Sequence, residues 1–471
     1  MFKQNSVQGE SKLIGLERFS LAHIYAKRWV LPLILLLGLG LRLAVTIDWN
    51  GYQPNSLDRL VGDEPGYDNM ARELLQGFGF TWPGRVPLYP IWLAGVYLLT
   101  NGSYIGVAYV QLIPGLVTIG LTYWLGCRLL NRTVGLTAAF FAAISYILIH
   151  QSLHLLSEVL YTPTVLLVVL ALFAAVKTPS KQRFIWVGML IGVSNLIRPS
   201  LLLFPFFLAA TLLFALPWRK ALVYASVMIV SSLLIITPWI IHNYLKYDAV
   251  FALQTSNAIL WQGSPEYYNL IHEEGYTYMR IWSEVLYGPG WQEHDPNSVA
   301  GDRYWTNRAI QSIKSDPLTY LKFAAEKTIT FWIGDSNADW GDTHIFNYRA
   351  LRRIGYLPGD AVQVMIARIL PIVAALGLLK LRTHWKKWWP MLALLAYFTL
   401  LHAATHAEVR LSEPLQPLLL VIIAAAIFSF IRAGRETSRR DVMNENEVRS
   451  GRPQRADEPS ALQFLKEANE W

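Results

Sequence analysis

Apolar residues in this chain come in runs of about 18 to 22, the length that crosses the hydrocarbon core of a bilayer. That feature decides the fold class: an all-α polytopic membrane protein with about ten transmembrane helices. Composition agrees, since 53% of the 471 residues are hydrophobic and only 16% are charged, where a soluble protein carries about a quarter. The net charge of +8 does not point to nucleic acid. Lys and Arg cluster in short connections between the apolar runs, the positive-inside pattern, so the expected large partner is membrane lipid. A single cysteine, Cys127, excludes an internal disulfide and a cysteine-based zinc site.

Residues 1–28 end on Lys27 and Arg28 and read as a cytoplasmic N-terminal segment. The first run lacks a small-residue cleavage site and reads as a retained span. A transmembrane module covers 29–241, including a polar outer loop at 48–102. Spans are expected at Trp29–Ile47, Ser103–Leu125, Val134–Ile149, Leu155–Val176, Phe184–Leu201, Leu202–Leu216 and Ala221–Ile241. Leu88–Thr100 is too short to cross and reads as a surface or re-entrant helix. Arg42, inside the first span, either snorkels to the outer interface or faces the protein interior.

Residues 242–360 are polar and rich in Tyr and Trp, a large mixed extracytoplasmic loop domain. Within it Asp316-Pro317-Leu318 opens a helix through Trp332, with Asp as the cap and Pro in the first turn. Leu318, Leu321, Ala325, Thr328 and Trp332 form its apolar stripe, flanked by Lys322 and Lys327, as on a helix lying on a membrane surface. Spans resume over 361–431, at Ala361–Leu379, Trp388–Leu401 and Leu415–Ile431, around a basic loop at Lys380–Lys387. The tail 432–471 is polar and cytoplasmic, with a short helix expected near its end.

The residues able to carry chemistry gather on the outer face of this topology. Gly62-Asp63-Glu64-Pro65-Gly66-Tyr67 sets two carboxylates beside a bilayer surface, where desolvating them without a use is costly. Such a carboxylate can take the proton of an acceptor hydroxyl as it attacks a sugar's anomeric carbon. Asp63 can equally cap a helix beginning near Pro65. Arg85, Arg198, Lys327 and Arg410 are the cations available for a phosphate, and a guanidinium matches phosphate oxygens in a bidentate way. His154 and Glu158, four apart, can place two metal ligands on one side of a helix, or simply form a solvated helix start. His402-Ala-Ala-Thr-His406-Ala-Glu408 lacks the Glu beside its first His that a zinc hydrolase of this spacing uses.

Acid near base on one face suits transfer from a lipid phosphate. The leaving phosphate needs cationic stabilisation but no general acid, and the acceptor needs a base.

At these residues the chain resembles a known superfamily. Asp63-Glu64-Pro65-Gly66-Tyr67 resembles the signature of the GT-C glycosyltransferases. Arg85-Val86-Pro87-Leu88-Tyr89-Pro90 and Ser157-Glu158 are similar to the bacterial branch related to aminoarabinose lipid A transferases and protein O-mannosyltransferases. Thr237-Pro238-Trp239-Ile240-Ile241-His242-Asn243-Tyr244 resembles the motif before that branch's large outer loop, with His242 where an Arg is expected. Asp316-Pro317-Leu318-Thr319-Tyr320-Leu321, with Lys327 and Trp332, resembles its later amphipathic helix.

The resemblance implies that Asp63 is the catalytic carboxylate, with Glu64 beside it, acting as base or as an acceptor-orienting and metal-linked group. Arg85, Arg198, Lys327 and Arg410 are then the donor-phosphate residues, and Tyr67 and Tyr89 bind acceptor or substrate. A divalent metal ion, if used, would sit between His154, Glu158 and Asp63. The donor is a polyprenyl-phosphate-linked monosaccharide and the acceptor a glycan, lipid or protein. The expected location is a bacterial inner membrane, with both termini cytoplasmic and the site outside. The rival is a transporter or flippase of a lipid-linked glycan. A transporter places charges near the bilayer midplane within broken spans, whereas here they gather at span ends and Arg42 is the intruder.

Overall fold

The computed structural model describes residues 28–52, 55–249, 253–256, 258–333, 359–382 and 385–450. Every regular element among them is helical. Five helical stretches are long and apolar enough to cross a membrane: Val30–Gly51, Tyr104–Leu129, Glu158–Lys177, Trp218–Tyr247 and Val409–Arg432. Four more are apolar but shorter: Leu88–Thr100, Arg132–Ile144, Pro199–Phe214 and Ile369–Leu381. The chain divides into two compact units, Met1–Ala425 and Ala426–Trp471. The second is helical as far as Ser450. Most of the expected N-terminal segment, residues 334–358 of the loop domain and the expected tail helix lie outside the described residues.

Several expected spans end early for local reasons. The run at Val134–Ile149 breaks at Ser145, whose ψ of 116° leaves the helical region, giving Arg132–Ile144 and a short helix Tyr146–His150. Pro199 stops the helix Lys181–Ile197 by pushing Arg198 into extended backbone (ψ 127°). The run at Leu202–Leu216 yields only the eight-residue helix Phe204–Thr211, followed by a 3-10 turn. In the other direction, Trp218–Tyr247 continues beyond Ile241 and stops at Asp248 in the left-handed region (φ 46°).

Two features explain how these helices approach each other. Arg42 is fully buried and faces the interior. Its guanidinium donates to the carbonyls of Ala142 (3.3 Å) and Ala143 (3.1 Å), at the C-terminal end of Arg132–Ile144, where unpaired carbonyls make a negative pole. Lys181–Ile197 lies closely against Trp218–Tyr247 because Gly192 has no side chain. A Cβ there would come within 2.6 Å of the Ile235 Cβ.

Beyond the spans, an aromatic core of Trp261, Tyr267, Tyr268, Trp305 and Phe323 joins the helices Pro265–His272, Val299–Ser315 and Pro317–Ile333. The last of these begins where the sequence places it, with Asp316 Oδ1 accepting from the Thr319 amide at 3.0 Å. A second face, not singled out in the sequence, packs inside the protein. Phe323, Lys327 and Phe331 are buried, whereas Leu318 and Leu321 are exposed.

Lys327 is therefore not a flanking surface cation. Its ammonium donates to the carbonyls of Gly263 (3.0 Å) and Thr405 (2.7 Å), and burial lowers its pKa from 10.5 to about 7. The folded state thus holds a neutral amine more readily than the unfolded chain does. Its destabilising effect is greatest below pH 7 and relaxes as pH rises towards 10. The melting temperature in detergent is expected to climb between pH 7 and 9 in the wild type, and the climb to disappear in Lys327→Met. An unchanged slope in the variant would place its origin elsewhere.

Candidate active site

The polar loop after the first span turns at Gly62, whose φ of 59° suits glycine, and enters the helix Glu64–Leu75 with Pro65 in its first turn. Asp63 occupies the N-cap position without making a side-chain cap bond. Its carboxylate points to two guanidinium groups instead. Arg85 Nη2 donates to Oδ1 at 2.6 Å and Arg410 Nη2 donates to Oδ2 at 3.1 Å. Burial alone would push the Asp63 carboxyl up, but Arg85 and Arg410, with Arg198 behind them, hold it well below the usual carboxylate range. Asp63 is thus a fixed anion at any pH where the protein works.

The neighbouring carboxylate has a different setting. Glu64 is buried and accepts from the amides of Val61 (2.8 Å) and Leu155 (2.9 Å) and from His154 Nδ1 (2.8 Å). It ties the first loop to the turn before Glu158–Lys177 and does not line the cavity described below.

Glu158 opens that span and meets Arg198 Nη1 at 2.6 Å. Ser157 donates to Glu158 Oε2 (3.4 Å) and accepts from the Tyr67 hydroxyl (3.1 Å), while the Arg85 guanidinium lies 5.2 Å from the centre of the Tyr67 ring. On the other side, Arg410 Nε lies 3.6 Å from Glu408 Oε2, and Glu408 Oε1 is 2.7 Å from His406 Nε2. Ion pairs and hydrogen bonds, with one cation–π contact between Tyr67 and Arg85, therefore link Arg198 through Glu158, Ser157, Tyr67, Arg85, Asp63, Arg410 and Glu408 to His406.

These groups border a cavity of about 470 Å³. Asp63, Tyr67, Arg85, Arg198, His406, Glu408 and Arg410 line it, and Gln262, Tyr278 and Trp282 from the outer loop complete it. Five of the residues singled out in the sequence are not in its lining. Glu158 lies behind it, paired with Arg198. Glu64 and His154 hold each other. Lys327 holds backbone carbonyls. Tyr89 is buried behind Tyr67 (ring centroids 4.8 Å apart), with its hydroxyl on Gln111 Oε1 at 3.1 Å.

Gln262, Tyr278 and Trp282 carry no motif in the sequence. His406 and Glu408 carry a signal in their spacing, but it resembles a zinc-hydrolase motif that lacks the essential Glu.

The residues expected to hold a metal do not form a cation site. His154 lies in the turn before the helix, so its spacing of four from Glu158 does not stack the two on one helical face. Both Asp63 oxygens and Glu158 face guanidinium groups, three cations against two carboxylates, and a divalent cation there would be repelled. Among the described residues no group of three or more His, Cys, Asp or Glu side chains is placed to hold a metal ion.

Residues 84–242 match the family described as dolichyl-phosphate-mannose-protein mannosyltransferase. No curated protein matches the chain by sequence. Among solved structures, the Archaeoglobus fulgidus oligosaccharyltransferase in its apo form superposes with a TM-score of 0.51 at 15% identity, covering 88% of this chain and 52% of that one. The same protein in complex with Zn and sulfate gives a TM-score of 0.50 at 16% identity, covering 86% and 49%. This chain thus spans about half the length of these two structures. Over residues 84–242 the chain is similar in sequence to the protein mannosyltransferase family, and over most of its length its fold is similar to that of the archaeal oligosaccharyltransferase.

Proposed function

We propose that the protein is an integral membrane glycosyltransferase. It moves one monosaccharide from a polyprenyl-phosphate carrier to an acceptor outside the cytoplasm, whether lipid A, a lipid-linked glycan or a protein hydroxyl. The observation that carries this reading is the convergence of Arg85, Arg198 and Arg410 on one cavity around the Asp63 carboxylate. Guanidinium groups bind phosphate oxygens in charge-assisted pairs and stabilise the negative charge that grows as a phosphate leaves. The matched family's description names a dolichyl-phosphate-linked mannose as its donor.

In this reading Arg85, Arg198 and Arg410 hold the donor phosphate. Asp63 is the catalytic carboxylate in an orienting role: it fixes two of the three guanidiniums and presents an anion to the acceptor. Tyr67 lines the substrate space and Tyr89 backs it. The acceptor oxygen attacks the anomeric carbon, and the bond to the phosphate oxygen breaks with its electron pair leaving on the polyprenyl phosphate. The shorter apolar helices join the five long ones in a membrane domain of about ten crossings, in a bacterial inner membrane, with both termini cytoplasmic and the cavity outside.

The test is mass spectrometry of lipid and envelope-glycan extracts from wild-type and deletion cells. The deletion is expected to accumulate one polyprenyl-phosphate monosaccharide and to lose that sugar from a surface glycan, lipid or protein. Accumulation of a complete lipid-linked glycan, with no monosaccharide carrier building up, would instead establish the flippase alternative.

A further inference from the structure

The described site leaves one chemical requirement open: a group to receive the acceptor's proton. Asp63 is poorly placed for it, because each of its oxygens already accepts from a guanidinium. Accepting a proton would break those pairs.

We infer that His406, oriented by Glu408, takes the proton of the acceptor hydroxyl during transfer. This rests on the glycosyltransferase reading above. His406 and Glu408 both line the cavity, and each side chain is largely but not wholly buried, at 16% and 20% exposure. Their 2.7 Å contact joins Nε2 to Glu408 Oε1, which places the ring's hydrogen on Nε2 and leaves the Nδ1 lone pair as the acceptor. Nδ1 makes no hydrogen bond to any described residue.

The segment is held from several directions, as a positioned base requires. The His406 carbonyl accepts from His402 Nδ1 at 3.0 Å, and the His402 ring stacks on Phe331 at 4.9 Å. The Thr405 carbonyl accepts from buried Lys327. Glu408 also faces Arg410, the same residue that holds Asp63, so the base and the phosphate-binding cations share one framework. The charged and titratable groups around the ring are Glu408, Arg410 and His402 from its own part of the chain, and Tyr278 from the outer loop, with ring centroids 6.3 Å apart. Asp63 and Arg85 lie beyond Arg410.

The step balances. The acceptor oxygen's lone pair forms the bond to the anomeric carbon, the pair in the old carbon–oxygen bond departs with the phosphate, and the hydroxyl proton passes to Nδ1. Glu408 faces the resulting imidazolium. After product leaves, the proton returns to water.

The test uses full-length protein in detergent, with donor lipid and acceptor fraction both extracted from deletion cells. In His406→Gln, kcat is expected to fall about 100-fold or more, with the donor KM within about threefold of wild type. The acid limb of the pH–rate profile, where protonated imidazole blocks the wild type, should vanish. His406→Ala should be rescued by added imidazole, which a purely structural role would not allow. Glu408→Gln should lower kcat with little change in donor KM, because the ring loses the partner that orients it. Near-wild-type turnover with an unmoved limb in His406→Gln overturns the inference, as does failure of imidazole to restore His406→Ala. A wild type that transfers no sugar from this donor overturns the glycosyltransferase reading itself.

Discussion

Asp63→Asn is expected to lower turnover by about a thousandfold while leaving the protein folded. Asn has the same shape, but its amide cannot hold two guanidinium groups with two anionic oxygens. Arg85 and Arg410 would then repel each other across the gap and lose the spacing that matches a phosphate. The Asp63 side chain is one-third exposed, so water can solvate the released guanidiniums. The cost in stability should therefore stay near 1 kcal/mol. Donor KM should change much less than kcat, because the cations that attract the phosphate are still present. Turnover and KM of purified protein check this, and a normally expressed Asp63→Asn with wild-type kcat would remove Asp63 from the catalytic set.

The adjacent residue should behave in the opposite way. Glu64→Ala leaves two backbone amides and a histidine without their acceptor in a buried setting. An unpaired buried donor costs about 1–3 kcal/mol, and the three share one carboxylate. A loss of about 3 kcal/mol or more is expected, seen as a lower melting temperature and reduced yield. Glu64→Gln keeps an acceptor oxygen at the same place and should be milder, with turnover per folded molecule within a few-fold of wild type. A Glu64→Gln protein that melts normally but is inactive would return Glu64 to the chemistry. Two neighbouring carboxylates thus separate into one that arranges the site and one that holds the loop.

That separation was not legible from Asp63-Glu64 as a dipeptide. Which carboxylate turns to the cavity depends on Leu155 and Arg410, which meet the loop only after the helices pack. Arg410 lies 347 residues from Asp63, and no local spacing encodes that meeting. The membrane class was legible because the length of an apolar run is itself the physical constraint. The gathering of Asp63, Arg85, Arg198 and Arg410 was legible only as a shared side, from the alternation of basic connections.

Periodicity was incomplete where one helix carries two apolar faces. In Pro317–Ile333, Phe323 and Phe331 form a face that packs inside the protein and Lys327 goes in with them, while Leu318 and Leu321 of the expected stripe stay exposed. It failed at His154, where a spacing of four was read as helical although the helix starts only at Glu158.

The buried guanidinium of Arg42 has a consequence for how the chain is made. Its carbonyl partners at Ala142 and Ala143 lie about a hundred residues downstream. A chain synthesised from its N-terminus therefore inserts its first span with an uncompensated cation, which a lipid environment tolerates poorly. Beyond its bond to Gly38 in the same helix, that guanidinium finds its partners only when Arg132–Ile144 lies beside it. The order of assembly in the membrane is in this way written into a single side chain.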